Sequence, residues 1–570
     1  MSLETLISVS KGEVPADIIL KNGQIVNVLS GEIYTGDVAL FQDKIAGIGS
    51  YQGKEEIDLS GKYIAPGFID GHMHLESSMV TVSEFAKAVV PHGTTTIIID
   101  PHEIANVLGA EGILYILKSS KYNPISVYVM LPSCVPATHL ETAGAELKAV
   151  DLYPFFSDKW VLGLAEMMNY PGVLFKDSDV LDKLKIATNK QIDGHSPGLS
   201  GKDLNAYIAA GIASDHECTT VEEAQEKLRL GMYVMLREGT VTKNLRDLLP
   251  LVTPNNVDRL ILVTDDRTPL DLTTEGHIDS MIRMAIETGI NPALAIRMAT
   301  INTAKYFHLE QLGAIAPGYF ADLVVLDDIQ SCNVNMVFKH GKKVAEQGQV
   351  IISETPRPAV HIRSSINVKW LYDTDFQIPA QPRKCRVIGL IPQQITTHQL
   401  FFEPKIENGL VVSDTNRDIL KLAVIERHNA SGNKGLGLLK GFGLKSGALA
   451  TSVAHDSHNI IVVGTNDSDM LTAAVQIIKM QGGLVVVNNQ QVVESLPLPI
   501  AGLISDKPLL EVKNNLEAVN RAAKSLGATP NDPFMTLSFL ALTVIPELKL
   551  TDKGLVDVNK FNLVNLFVEE

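Results

Sequence analysis

Short β-rich apolar runs broken by turn residues fill residues 16–60 and mark a small β domain at the start of the chain. In "ADIILKNGQIVNVL", Asn22-Gly23 lies between two such runs and predicts a hairpin there. No long helical period comes before residue 80. From residue 65 the pattern changes. Apolar runs around 65–72, 95–100, 125–131, 160–166, 190–194, 211–215, 232–236 and 259–264 alternate with helix-like segments such as "VSEFAKAVVPHG" and "TVEEAQEKLRLG". Eight strand–helix units over about 240 residues predict a closed parallel barrel. An open doubly wound sheet is the alternative, but no GxGxxG follows the first strand.

Strands return near residue 313 with "GAIAPGYFADLVVLDD" and "MVFKHGKKVAEQGQVI", which could complete the opening β domain. Proline-rich stretches at 355–358 and in "IPAQPRK" read as linkers. Beyond them, β-rich runs ("NIIVVG", "GGLVVVNN") mix with helical ones ("DMLTAAVQIIKM"). The expected fold is α/β: a (β/α)8 TIM-like barrel over 67–312, a discontinuous small β-sandwich domain from 1–66 and 313–360, and an additional C-terminal α+β domain over 361–570.

A chain of 570 residues exceeds what one core serves. Its net charge of −16 argues against a nucleic-acid partner, which requires basic surface. Cys134, Cys218, Cys332 and Cys385 are widely spaced and form no CxxC pair, so a disulfide scaffold is not expected. No apolar run of about 18 residues suggests a membrane span. "MSLETLISVSKGEVPADIIL" lacks a charged segment followed by a long apolar one. A cytoplasmic protein is expected.

The residues at the strand ends carry the chemistry. The first strand runs through "PGFIDGHMHLESSM", and alternation points His72 and His74 the same way. The fourth ends on Glu166, the fifth on His195, the sixth on His216, and the eighth on Asp265 and Asp266. In a barrel all these ends share one rim, where chemistry gathers. The imidazoles and carboxylates suffice for two metal ions, with Glu166 placed to bridge them. Without a thiolate among them, Zn²⁺, Mn²⁺ and Fe²⁺ are all compatible. Two cations would supply hydroxide at neutral pH, and Asp265 could relay its proton to a leaving group.

"PGFIDGHMHLESS", the strand-end ligands and "GAIAPGYFADLVVLD" resemble the amidohydrolase superfamily of metal-dependent hydrolases. Within it the chain resembles the bacterial adenine deaminases from about residue 16 almost to its end. That likeness includes "TTTIIIDPHEIANVLG", "LPSCVPATHLETAGA", "GLAEMMNYPGV", "DGHSPGLSGKDLNAYIAAGIASDHECTT", "RLGMYVMLREGT" and "SGALATSVAHDSHNIIVVGTND". The resemblance implies hydrolysis of adenine to hypoxanthine and ammonia in adenine catabolism or purine salvage. It assigns His72, His74 and Asp265 to one ion and His195 and His216 to the other. Glu166 would bridge them in place of the carboxylated lysine of other branches. It favours Mn²⁺ or Fe²⁺ over Zn²⁺, a bridging hydroxide as nucleophile and Asp265 as proton shuttle. Glu76 is expected to join the catalysis. His102, Glu103, Arg237, Glu238 and Asp266 are expected to contact the purine, with "DPHE" the best placed. A homo-oligomer, a dimer above all, is the expected assembly.

Two motifs weigh less. "HDSHN" (455–459) could mimic a metal site, but a polar turn packing over the barrel mouth is preferred. "GNKGLGLLKGFGLKSG" lacks the GxxxxGK[ST] spacing and reads as a flexible loop. The rival functions are another amidohydrolase acting on cyclic amides or dipeptides, and a non-catalytic scaffold that has lost ligands.

Overall fold

All eight expected barrel strands form: β1 Phe68–Met73, β2 Thr94–Ile99, β3 Ser126–Leu131, β4 Val161–Met167, β5 Gln191–Gly194, β6 Ser214–Asp215, β7 Tyr233–Arg237 and β8 Leu260–Val263. The computed structural model describes residues 2–351, 362, 364–392 and 394–568. Strands β1 to β5 pair in sequence order, all parallel, and so do β6 to β8. Two backbone bonds complete the ring. The Ala213 N–H donates to the Ile192 carbonyl (3.0 Å) between β5 and β6, and the Asp265 N–H donates to the His72 carbonyl (3.0 Å) between β8 and β1. Inward side chains Ile69, Ile98, Met130, Ala165, Met235 and Ile261 fill the interior as one cluster. A packed barrel leaves its strand ends as the place for chemistry.

The helices between strands follow their sequence signals. Val221–Arg229 starts at Thr220, whose hydroxyl accepts the Glu223 N–H (3.3 Å), and Lys227 and Arg229 lie in its last turn. Both features oppose the unpaired N–H groups and dipole of a short helix.

The opening and returning β segments form one nine-stranded sheet. Tyr63–Pro66 pairs antiparallel with Leu323–Asp328, joining the two halves. The hairpin expected at Asn22-Gly23 does not form. Ala16–Asn27 is a single strand with an irregularity between Leu20 and Gly23. Asn22 takes φ 61° within that bulge, and its N–H donates to Asp37 (2.8 Å). A Cβ on residue 23 would lie 2.6 Å from Ile64, so the glycine admits a neighbouring side chain rather than turning the chain. A two-turn helix, Leu3–Ser10, precedes the sheet with Ser2 as its cap.

The C-terminal region is built on an eight-stranded sheet with helices Asp467–Lys479 and Leu509–Ser525. The glycine-rich stretch read as a flexible loop contains a strand, Lys434–Lys440, inside that sheet. Its glycines make room: a Cβ at Gly435 would meet the Thr551 carbonyl at 1.9 Å. "IPAQPRK" is likewise only partly a linker, since Ile378–Pro379 pairs with Leu410–Val412. The proline-rich joint at 355–358 lies outside the described residues. The region is bonded to the barrel: Thr142 donates to Asp552 (2.9 Å), Asn459 to the Thr142 carbonyl (2.8 Å) and Leu509 to Glu84 (3.0 Å). Among the described residues no helix is long and apolar enough to cross a membrane.

Candidate metal centre

His72, His74, Glu166, His195, His216 and Asp265 meet at the C-terminal mouth of the barrel, none more than 6% exposed. His72 is inside β1, His74 just past it, Glu166 near the end of β4, and His195, His216 and Asp265 follow β5, β6 and β8 within two residues. Glu166 stands at the middle. Its Oε1 lies 3.3 Å from His74 Nε2 and 3.9 Å from His72 Nε2, while its Oε2 lies 2.6 Å from His195 Nδ1 and 3.2 Å from His216 Nε2. One carboxylate oxygen therefore faces each histidine pair. Asp265 Oδ1 is 3.2 Å from His74 Nε2 and 3.5 Å from His72 Nε2.

Neighbouring backbone and side chains aim these groups. His74 Nδ1 meets the Asp100 carbonyl (3.0 Å), which leaves Nε2 free to turn inward. Behind β5 and β6, Asp215 accepts the Ser196 N–H and hydroxyl (2.7 and 2.9 Å). The fully buried Lys227 bonds Asp215 (3.0 Å) and the Ser196 carbonyl (2.8 Å), tying the loops that carry His195 and His216. Arg237, in β7, pairs both nitrogens with Glu217 and also reaches Asp265 Oδ2 (3.1 Å).

Buried carboxylates and imidazoles set each other's charge in this cluster. Burial opposes ionisation of Glu166, yet His216 and His195 hold its carboxyl well below the usual range. Burial likewise opposes ionisation of Asp265, and Arg237, His72 and His74 hold it well below. The histidines respond in turn. Against the penalty of burial, Glu166 pushes His216 up to about 9, and Asp265 and Glu166 raise His74 well above normal. His72 is lowered, by burial and by His216. His72 Nε2 and His195 Nε2 are buried with no hydrogen-bond partner among the described residues. Imidazole nitrogens and carboxylates sharing so little space fit divalent metal.

The remaining expected residues divide. His102, Glu103 and Asp266 line the cavity with the ligands. His102 lies 3.0 Å from Asp100 and 3.6 Å from Asp456, and Asp266 accepts the Ser77 hydroxyl. Arg237 also lines it, but its two terminal nitrogens are engaged by Glu217, Asp265 and Asn244, so it anchors Asp265. Glu76 and Glu238 stand outside the lining. Glu76 accepts the Ile104 N–H (2.9 Å), and Glu238 accepts the Leu245 N–H (3.2 Å).

Sequence reasoning missed Glu217, although it directly follows His216. It also named no cavity residue on the opposite wall, made by Ile395, His455, Asp456, Phe539, Leu542 and Ile545 from the C-terminal region. The "HDSHN" turn does pack over the mouth, and it brings His455 and Asp456 into the cavity.

The closed barrel and the buried His/Glu/Asp rim define the class: residues 63–344 match the Amidohydrolase family, whose members use divalent metal. Residues 394–562 match the Adenine deaminase C-terminal domain. Adenine deaminase 2 of Carboxydothermus hydrogenoformans is 53% identical over 563 residues, covering 99% of each chain, and adenine deaminase of Desulfatibacillum aliphaticivorans is 51% identical over 566 residues with the same coverage. The chain belongs to the adenine deaminase family. A solved β-aspartyl dipeptidase from Fervidobacterium islandicum AW-1 is more remote, 17% identical over 60% of this chain and 99% of its own, with TM-score 0.46.

Proposed function

We propose that this chain hydrolyses adenine to hypoxanthine and ammonia at a centre of two divalent metal ions. The observation that carries this reading is the division of Glu166: one oxygen toward His72 and His74, the other toward His195 and His216. His72, His74 and Asp265 would hold one ion, His195 and His216 the other, and Glu166 both. Mn²⁺ or Fe²⁺, in preference to Zn²⁺, would lower the pKa of a shared water and supply bridging hydroxide at neutral pH.

The chain's own groups do the rest. Attack at C6 of adenine makes a tetrahedral carbon, and the C6–N bond then breaks to release ammonia. Asp265 accepts the proton of the attacking oxygen and passes it to the departing nitrogen, while Arg237 holds its carboxylate in place. A protonated group near N1 favours attack, and we assign that edge to His102, Glu103 and Asp266, which line the cavity. Residues 1–66 with 313–360 are read as one β domain, 67–312 as the barrel and 361–570 as a third domain. A cytoplasmic homodimer in purine salvage is the matching biological setting.

The test is ammonia release from adenine by protein prepared with and without added Mn²⁺, with metal counted on the same sample. Rapid release at about two metals per chain is the expected result. Bound metal without ammonia would overturn the substrate and direct the search to cyclic amides.

A further inference from the structure

His455 comes from the C-terminal region yet lines the cavity opposite the metal ligands, 3% exposed. Its ring stacks on Phe539, with centroids 4.6 Å apart and planes within 15°. Its Nδ1 faces two carboxylate oxygens, Glu103 Oε1 at 3.5 Å and Asp456 Oδ1 at 3.8 Å. Its Nε2 is buried with no hydrogen-bond partner among the described residues. A buried imidazole nitrogen left unbonded is costly, so its retention in a cavity points to a ligand that bonds it.

A third cation among Glu103, His455 and His458 is the obvious alternative, and His458 argues against it. His458 Nδ1 accepts the Ala454 N–H (3.2 Å), so its hydrogen sits on Nε2, which faces Glu103 Oε2 at 3.8 Å. That nitrogen has no lone pair to give a metal. Glu103 is thus faced by ring nitrogens of two histidines. With its hydrogen on Nδ1, toward Glu103 and Asp456, His455 presents Nε2 as an acceptor.

We infer that His455 Nε2 accepts a ring N–H of the bound purine and makes the site selective for the free base over purines substituted at N9. This rests on adenine as substrate. Adenine has one N–H in its five-membered ring, on N9 or N7. A 9-substituted purine has none, and would leave Nε2 unpaired. Phe539, Leu542 and Ile545 supply an apolar surface beside it that suits a flat base and offers nothing to a sugar.

Adenine and 9-methyladenine, each with wild type, His455→Phe and His455→Gln, form a cycle that isolates this contact. Expected is a loss of about 10- to 100-fold in kcat/KM for adenine in His455→Phe, at unchanged metal content, with 9-methyladenine altered less than about twofold. Where 9-methyladenine is not turned over, its inhibition constant is compared instead. His455→Gln, which keeps an acceptor, should recover part of the loss. Equal losses for both purines, or none for adenine, would overturn the assignment. The same cycle is read by calorimetry with hypoxanthine and 9-methylhypoxanthine. A wild type that releases no ammonia from adenine therefore counts against the proposed reaction, while the binding cycle still decides on His455.

Discussion

At the residue scale the proposed centre gives two carboxylates separate duties. Asp265 sits where β8 meets β1, with φ 60°, and its Oδ2 is held by Arg237. In Asp265→Asn the shape stays but the proton acceptor is lost, so kcat should fall by a factor of about 100 or more with folding preserved, as circular dichroism and assay together would read. Wild-type turnover would defeat the shuttle role. Glu166→Gln acts differently. An amide presents one oxygen where the carboxylate presents two, so metal content should drop clearly below two per chain by atomic absorption. Unchanged stoichiometry would refute the bridge. Both residues were legible from the sequence because each ends a recognisable apolar strand. His455 was legible only as part of a turn over the barrel mouth, and Phe539 not at all, because no periodicity says which surface that region turns toward the barrel.

At the element scale, local patterns located the strands and helices of the barrel but misjudged glycine. Asn22-Gly23 carries turn chemistry, yet the sheet absorbs it as a bulge because Ile64 occupies the space beside Gly23. Gly435 likewise lies in a strand for the sake of close packing. These are tertiary constraints, invisible to a local window. The loops after β5 and β6 depend on a similar long-range tie. Lys227, on the helix after β6, is fully buried against Asp215 and the Ser196 carbonyl. Lys227→Met removes that cation and strands the Asp215 carboxylate in the interior. The change should destabilise the protein by about 3–5 kcal/mol in denaturant unfolding and loosen the ion proposed for His195 and His216. A loss under about 1 kcal/mol would show that water replaces the ammonium without cost.

At the scale of the whole molecule, the barrel brings the ligands and the C-terminal region closes the cavity over them. A fragment ending at residue 360 should be insoluble or inactive, because it lacks the apolar wall and exposes the barrel surface that wall covers; a fully active fragment would make the region accessory. The contact between the two parts also carries a titratable group. Glu141 accepts the Thr543 hydroxyl (3.3 Å), and burial together with Asp456 and Asp552 pushes its pKa up to about 8. A carboxyl whose folded pKa is raised keeps its full contribution below the ordinary value of 4.5 and loses it as pH rises through about 8, because the folded state holds the proton longer than the unfolded one. Between about pH 4.5 and 8 the wild type should therefore lose thermal stability relative to Glu141→Gln, which keeps the neutral form. Asp193 and Lys549 each titrate at about 7 but are present in both proteins, so the difference between the two curves reports Glu141. A difference independent of pH across that window would mean that this carboxyl ionises without straining the contact.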